Sequence, residues 1–258
     1  MGIELKNIDC LDLLKSLPDA SVDLMLTDPP YGVTDCDWDK SINLAELWLE
    51  WERVVKPNGA FVIFSTQPFT TDLIISRRDF FKYEWIWEKS LATNFPNANK
   101  MPLKKHENIL IFYRKQPTYN PQPTERSEIN KIRFRGGKTI VRKSKIVTEV
   151  YSIKRKEADS IYPEFGYPNS ILAFKSVFGR NGQRFHPSQK PVDLMRYFVR
   201  TYTNLGETVF DGYSGSGTTA EACILEGRNF IGSELNKEYY DKSIERISIA
   251  LSKPELFT

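Results

Sequence analysis

Short apolar runs alternate with amphipathic segments along most of the chain. Apolar runs bounded by Gly, Pro or polar residues are typical of buried strands, and they occur at residues 3–5, 22–27, 60–64, 83–87, 108–113, 208–210 and 229–233. Segments with apolar residues at helical spacing lie between these runs, at residues 11–17, 43–56, 70–76, 192–199, 220–225 and 240–251. This alternation predicts an α/β fold with a doubly wound, mostly parallel sheet.

The alternation stops at Gln116, where prolines and polar residues begin a segment of poor periodicity. Residues 126–156 contain eleven Lys or Arg and two Glu, a net charge of +9, whereas the whole chain carries +3. Such segregation of charge indicates a polyanionic partner, and interleaved aromatic residues suit base stacking. We predict that residues 116–182 form an insertion that binds nucleic acid. The expected basic contacts are Arg133, Arg135, Lys138, Arg142, Lys143 and Lys145.

Composition narrows the class of protein. Of the 258 residues, 40% are hydrophobic and 27% charged, which is ordinary for a globular protein. No apolar run is long enough to span a bilayer, and the N-terminal residues lack the layout of a signal peptide. The three cysteines are widely spaced and suggest neither a disulfide framework nor a zinc site. We therefore expect a cytoplasmic protein without a membrane partner or a bound metal.

The stretch Asp28-Pro29-Pro30-Tyr31 directly follows the predicted strand at residues 22–27. Open α/β sheets bind ligands at the carboxyl ends of their strands. The prolines stiffen the backbone and remove two N–H donors, so the loop offers carbonyl and carboxylate acceptors next to an aromatic ring. This combination suits a planar base with an amino group, although four such residues alone are more often only a stiff turn.

Residues 209–234 predict a strand, a glycine-rich turn, a helix and a second strand that ends at Glu234. A dinucleotide or S-adenosylmethionine would fit such a unit, because the glycines admit a ligand and the acid can bind ribose hydroxyls. Asp211 favours S-adenosylmethionine, since a carboxylate suits an ammonium group better than a pyrophosphate. The turn also lacks the third glycine of the dinucleotide pattern.

Together these stretches resemble the amino-methylating DNA methyltransferases in their beta arrangement, where the catalytic motif comes first and the donor-binding turn last. Asp28-Pro29-Pro30-Tyr31 matches the catalytic motif, residues 210–217 resemble the donor-binding motif, and Gly212 stands where the family usually has proline. The resemblance implies a circularly permuted S-adenosylmethionine-dependent methyltransferase fold. Its parts would be a catalytic half at residues 1–115, a target-recognition insertion at 116–182 and a donor-binding half at 183–258.

The resemblance also implies roles for single residues. Asp9 and Cys10 would contact the donor adenine, Glu234 the ribose, and Lys190, in the segment at residues 186–191, the donor carboxylate. The full set implied to bind S-adenosylmethionine is Asp9, Cys10, Asp28, Lys190, Asp211, Gly212, Tyr213, Ser214, Gly215, Ser216, Gly217, Thr218, Glu234 and Leu235. The implied partner is double-stranded DNA, and a homodimer and a companion restriction nuclease are compatible with the family.

The implied reaction is site-specific methylation of adenine N6 in DNA. The base would be flipped out and stacked on Tyr31, while Asp28 and the Pro29 carbonyl accept its amino hydrogens. Cytosine N4 methylation uses the same geometry, although serine is then more usual at position 28. Methylation of RNA or of a protein amide, a dehydrogenase, and a non-catalytic DNA-binding protein are further alternatives. We expect a structural or DNA-contacting role for His106 and Glu107, and core positions for Trp48, Trp51, Trp85 and Trp87.

Overall fold

A computed structural model of the chain describes residues 1–32, 42–125, 165–177, 185–186 and 188–252. The strands are β1 (Ile3–Lys6), β2 (Val22–Thr27), β3 (Val55–Ser65), β4 (Phe81–Thr93), β5 (Lys104–Phe112), β6 (Thr124–Glu125), β7 (Phe165–Gly166), β8 (Ile171–Phe174), β9 (Thr208–Asp211) and β10 (Asn229–Ser233). The helices are α1 (Cys10–Ser16), α2 (Leu44–Val54), α3 (Phe69–Ser76), α4 (Val192–Tyr202), α5 (Thr218–Glu226) and α6 (Lys237–Leu251). A 3₁₀ turn spans Phe95–Asn97.

Eight of these strands form one sheet in the order β1-β10-β9-β2-β3-β5-β4-β8. The first five in this order run parallel to their neighbours, β5 is antiparallel to both β3 and β4, and β8 is parallel to β4. The predicted doubly wound, mostly parallel sheet is therefore confirmed. Strand β2 pairs directly with β9, although about 180 residues separate them in the chain.

Apolar side chains cover both faces of the sheet, as expected where β strands alternate with helices on either side. On one face, Leu24 of β2 packs in a cluster with residues of α4, α5 and α6, including Phe198 and Ile247. On the other face, Met25 packs in a cluster with residues of α1, α2 and α3, including Trp51. Trp48, Trp51, Trp85 and Trp87 are all buried, so the prediction that they are core residues is confirmed.

Helices α1, α2 and α6 each begin at a residue whose side chain caps the first turn. The Asp9 carboxylate accepts a hydrogen bond from Leu11 N at 2.8 Å at the start of α1, and the Asn236 side chain accepts from two N–H groups at the start of α6. Helix α5 is flanked by Gly217 and Gly227, both in the left-handed region.

Some element boundaries differ from the predicted ones. Helix α2 ends at Val54 and the chain passes directly into β3, although Pro57-Asn58-Gly59 predicted a break and a strand starting at residue 60. Strand β3 begins at Val55 because Val55 pairs with Val22 of β2. A register shift then accommodates residues 56–59, and regular pairing resumes at Ala60. Strand β8, inside the predicted insertion, forms the edge of the main sheet.

The chain divides into two compact units, residues 1–120 with 170–258 and residues 121–169. In the second unit, β6 pairs antiparallel with β7. The predicted DNA contacts from Arg133 to Lys145 lie outside the described residues, so the nucleic-acid role of the segment at residues 116–182 stays a prediction. Within the described ranges, no helix has both the length and the apolar character needed to cross a membrane.

Candidate active site

Polar residues lie at the carboxyl ends of four adjacent parallel strands, along one edge of the sheet. Asp28 follows β2, Asp211 ends β9, Glu234 follows β10, and Asp9 lies three residues past β1. These residues line one cleft of about 1110 Å³. Because the carboxyl ends of neighbouring parallel strands meet at the same edge, residues from both ends of the chain share this cleft.

The loop after β2 places Asp28 in the wall of the cleft. Its carboxylate accepts a hydrogen bond from the Tyr31 hydroxyl on one oxygen and from the Lys190 ammonium on the other. The Tyr31 ring is stacked on Phe69, with 5.4 Å between the ring centroids. Tyr31 therefore has two contacts that fix it beside Asp28, one through its hydroxyl and one through its ring.

Lys190 joins Asp28 to a second carboxylate, that of Glu107. Lys190 Nζ lies 3.4 Å from Glu107 Oε2, and Glu107 also forms an ion pair with Lys89. The Lys190 side chain is only 7% exposed, and its ammonium lies 5.0 Å from the centroid of Phe64. Two carboxylates and two ammonium groups thus form a largely buried charge network next to the proline loop.

Burial and charge act against each other in this network. Burial is the largest influence on Asp28, and together with the negative charge of Glu107 it raises the pKa of Asp28 despite the opposing Lys190 ammonium. Burial also disfavours the charged form of Glu107, but the ammonium groups of Lys190 and Lys89 outweigh it and lower the pKa of Glu107. For Lys190 itself, the two carboxylates outweigh burial, and the pKa is raised.

Asp211, at the end of β9, is bound by donors from two other elements. Thr27 Oγ1 donates to its Oδ1 at 2.9 Å, Thr219 Oγ1 donates to its Oδ2 at 2.5 Å, and Tyr213 N donates to Oδ1 at 3.1 Å. Burial raises the pKa of Asp211 to about 6, although these hydrogen bonds oppose the shift. The carboxylate therefore fixes the glycine turn to both β2 and α5.

The glycine turn packs closely against its surroundings. A Cβ at position 212 would lie 2.2 Å from Cys10 Sγ, so the Cys10 side chain fills the space that any side chain at position 212 would need. Glycine at position 212 therefore leaves room for the Cys10 side chain. Gly217 has φ +67°, and a Cβ there would lie 2.9 Å from that of Ser243, so this position also requires glycine.

Glu234 connects the end of β10 to the same turn. Its carboxylate accepts hydrogen bonds from Gly215 N and Asn236 N, both at 2.8 Å. Burial raises the pKa of Glu234, with the two backbone donors opposing the shift. His186 lies against this region, with its ring centroid 4.3 Å from that of Tyr239, and its Nδ1 accepts from Ser188 N. This contact anchors the segment that carries Lys190; Pro187 lies outside the described residues.

The structure brings almost all of the residues implied by sequence into the cleft. The cleft is lined by Asp9, Cys10, Asp28, Pro29, Pro30, Tyr31, Lys190, Asp211, Gly212, Tyr213, Ser214, Gly215, Ser216, Thr218, Glu234 and Leu235. Gly217 is not among the lining residues and packs against α6 instead.

Sequence reasoning missed the site positions of Glu107 and Lys89. Glu107 lies on β5, which extends four residues further toward the N-terminus than the predicted strand, and Lys89 lies in the second half of β4. Alternation along β5 could have found Glu107, because it lies two residues before the buried Ile109, while His106 is exposed.

Fold and site together define an α/β protein of the S-adenosylmethionine-dependent methyltransferase class. The strand order joins an Asp-Pro-Pro-Tyr loop to a glycine turn across adjacent strands, which is the arrangement implied by the sequence resemblance. Within this class, the family profile described as DNA methylase matches residues 22–245 of the chain. The chain belongs to this family of DNA methylases.

Similar proteins agree with this assignment. The DNA adenine methyltransferase YhdJ of Escherichia coli (strain K12) is 28% identical over 266 residues, which cover 96% of this chain and 85% of the relative. The crystal structure of the M1.HpyAVI–SAM complex has a TM-score of 0.64 at 25% identity and covers 95% of this chain and 99% of that one. The cytosine-N4-specific PvuII DNA methyltransferase has a TM-score of 0.65 at 18% identity, covering 97% and 91%, and shows the shared fold.

Proposed function

We propose that the protein is a site-specific DNA methyltransferase that transfers a methyl group from S-adenosylmethionine to N6 of adenine in double-stranded DNA. The observation that carries the proposal is the pairing of β2 with β9, which places Asp28 and the glycine turn in one cleft. A methyl donor bound along the turn and an amino group bound at Asp28 would therefore meet.

The residues of the turn fit the donor. Gly212 lines the cleft without a side chain, and Glu234 presents a carboxylate at the end of β10, where a ribose can be bound. Asp9 and Cys10, which the resemblance implies contact the donor adenine, line the same cleft, as does Leu235. When bound, S-adenosylmethionine supplies an electrophilic methyl group and leaves as the neutral thioether.

Asp28 and the Pro29 carbonyl activate the target amino group. The N6 lone pair of adenine is delocalised into the ring, which makes the amine a poor nucleophile. Hydrogen bonds from both amino hydrogens to these two acceptors favour a tetrahedral nitrogen with an available lone pair. Tyr31 offers the stacking surface for a flipped base and is held in place by Phe69 and Asp28.

Adenine N6 is favoured over cytosine N4 by the acid at position 28 and by similarity to YhdJ, a DNA adenine methyltransferase. The fold does not distinguish the two, since the cytosine-N4-specific PvuII enzyme has it as well. The decisive experiment is transfer of a labelled methyl group to unmethylated genomic DNA, followed by nucleoside analysis. N6-methyladenine is the expected product, N4-methylcytosine would establish the alternative, and no product with wild-type protein would refute the proposal.

The basic segment at residues 126–156 supplies the proposed DNA contacts, with Arg133, Arg135, Lys138, Arg142, Lys143 and Lys145 as phosphate ligands. Its charge of +9 on an otherwise acidic chain supports this role. Replacing Arg133 and Arg135 by Gln should weaken DNA binding and reduce its dependence on salt, while S-adenosylmethionine binding stays unchanged. Replacing the exposed Arg78 and Lys115, which lie outside the segment, by Gln is the matched control.

A homodimer and a companion restriction nuclease also remain proposals, supported only by the family. Sedimentation of the purified protein tests the first, and a search for a nuclease that cleaves the unmethylated recognition sequence tests the second.

A further inference from the structure

The charge network next to Asp28 contains a carboxylate for which the proposed reaction gives no direct role. Glu107 does not belong to the Asp-Pro-Pro-Tyr loop or to the glycine turn, yet its side chain is only 12% exposed and lines the cleft. Burying a carboxylate costs free energy unless its partners compensate for the lost hydration. Glu107 has two such partners, Lys89 and Lys190, and the second of these also binds Asp28.

The distribution of the Lys190 charge determines how strongly Asp28 can attract a hydrogen-bond donor. An ammonium in direct contact neutralises much of the negative charge of a carboxylate, and a less basic carboxylate polarises an amino group less. If Asp28 were the only partner of Lys190, the Asp28 carboxylate would have little negative charge left to attract the target amino group. Glu107 competes for the same ammonium from the other side, 3.4 Å from Nζ.

We propose that Glu107 is a positioning residue of the methyl-transfer site, which shares the Lys190 ammonium with Asp28 so that the Asp28 carboxylate keeps the charge needed to draw in an amino group. The inference rests on the proposed function, because it assigns Asp28 the task of accepting amino hydrogens. Glu107 itself touches neither substrate in this proposal and acts through Lys190.

The charged groups around this network come from four elements. Lys190 precedes α4, Asp28 and Tyr31 follow β2, Lys89 belongs to β4, and Lys104 belongs to β5 with Glu107 itself. Burial lowers the pKa of Lys104, and the negative charge of Asp28 contributes to the raised pKa of Asp211. Among these groups, Glu107 is the carboxylate that shares Lys190 with Asp28.

The test is Glu107→Gln, which keeps the shape of the side chain and removes its charge. Lys190 should then bind Asp28 alone, and kcat for methyl transfer should fall about tenfold at neutral pH. The dissociation constant for S-adenosylmethionine, measured by calorimetry without DNA, should stay the same or become smaller. Because the charge of Glu107 raises the pKa of Asp28, the acid limb of the kcat profile should move to lower pH in the variant.

Glu107→Gln also leaves Lys89 without its carboxylate, which could disturb folding. The double variant Lys89→Met/Glu107→Gln removes this unpaired ammonium, and a methionine suits the position over the Trp87 ring that the lysine occupies. It should unfold at the wild-type temperature and still show the reduced kcat and the shifted acid limb. Glu88→Gln is the matched control, because Glu88 pairs with Lys105 at 2.9 Å on the surface of the same two strands.

The outcomes separate this inference from the proposed function. Wild-type protein that transfers no methyl group would refute the function itself. With an active wild type, an unchanged kcat in both Glu107 variants would overturn the inference. So would a parallel loss of kcat and donor affinity without movement of the acid limb, since that pattern indicates a merely structural role.

Discussion

The two halves of the cleft differ in the chemical groups that form their contacts. On the Asp28 side, four charged side chains, Asp28, Lys190, Glu107 and Lys89, form a buried network in which each group alters the proton affinity of the others. On the side of the glycine turn, the carboxylates of Asp211 and Glu234 accept hydrogen bonds from hydroxyls and backbone N–H groups instead of from ammonium groups.

This difference follows from what each half has to bind. A poor amine nucleophile needs a carboxylate whose charge is preserved at short range, and in our proposal Glu107 preserves the charge of Asp28 by sharing the Lys190 ammonium. A large nucleoside ligand needs close approach of the backbone, which glycine allows and a Cβ would prevent. Substitutions on the Asp28 side should therefore change rates, and substitutions on the turn side should change stability or donor affinity.

The largest expected effect is that of Asp28→Ala. Removing the acceptor should lower the rate of methyl transfer by at least about 100- to 1000-fold, while S-adenosylmethionine binding remains close to wild type. Single-turnover transfer of labelled methyl and calorimetric donor binding measure the two quantities. Normal turnover by this variant would remove Asp28 from the mechanism, and a matching loss of donor binding would erase the contrast between the two halves.

Gly212→Ala should act on stability. The new Cβ would lie 2.2 Å from Cys10 Sγ, and overpacking of this kind typically costs about 1–3 kcal/mol of unfolding free energy. Cys10→Ala removes the sulfur, so the double variant should lose less stability than the sum of the two single changes. Additive losses in a denaturant titration would show that Cys10 does not occupy the space above residue 212.

Tyr31 should distinguish stacking from hydrogen bonding. Its ring stacks on Phe69 and its hydroxyl donates to Asp28. We expect Tyr31→Ala to lower kcat about tenfold or more and Tyr31→Phe to retain most of the activity, because the stacking surface remains. Equal losses in the two variants would assign the contribution to the hydroxyl.

The smallest expected effect concerns pH and Asp211. Burial raises the pKa of Asp211 from an ordinary 3.8 to about 6. Between pH 3.8 and pH 6, the Asp211 carboxyl is therefore mostly protonated in the folded protein and mostly ionised in the unfolded chain. When the pH falls from 7 to 5, wild type should therefore gain about 1 kcal/mol of unfolding free energy relative to Asp211→Asn. A pH-independent difference would show that Asp211 titrates normally.

Sequence patterns predicted most of the fold because each main strand carries its own apolar run. Residues 22–27 form β2 with the predicted bounds, and residues 108–112 form the C-terminal part of β5. Strand β8 was missed because only Leu172 of its four residues is buried, and its place depends on pairing with β4. The N-terminal part of β5, residues 104–107, was missed for a similar reason, since polar residues such as Lys105 give no apolar signal.

What the sequence by itself determined are the local features: apolar runs, capping residues, the stiff Asp-Pro-Pro-Tyr loop and the glycine turn, with enough specificity to indicate the family. Only the tertiary structure decided which of these features meet. Thr27 donates to Asp211 across 184 positions of the chain, and Lys190 reaches Asp28 across 162. Such contacts depend on the order of strands in the sheet, and that order is set by the packing of both faces together, so no short stretch of sequence contains it.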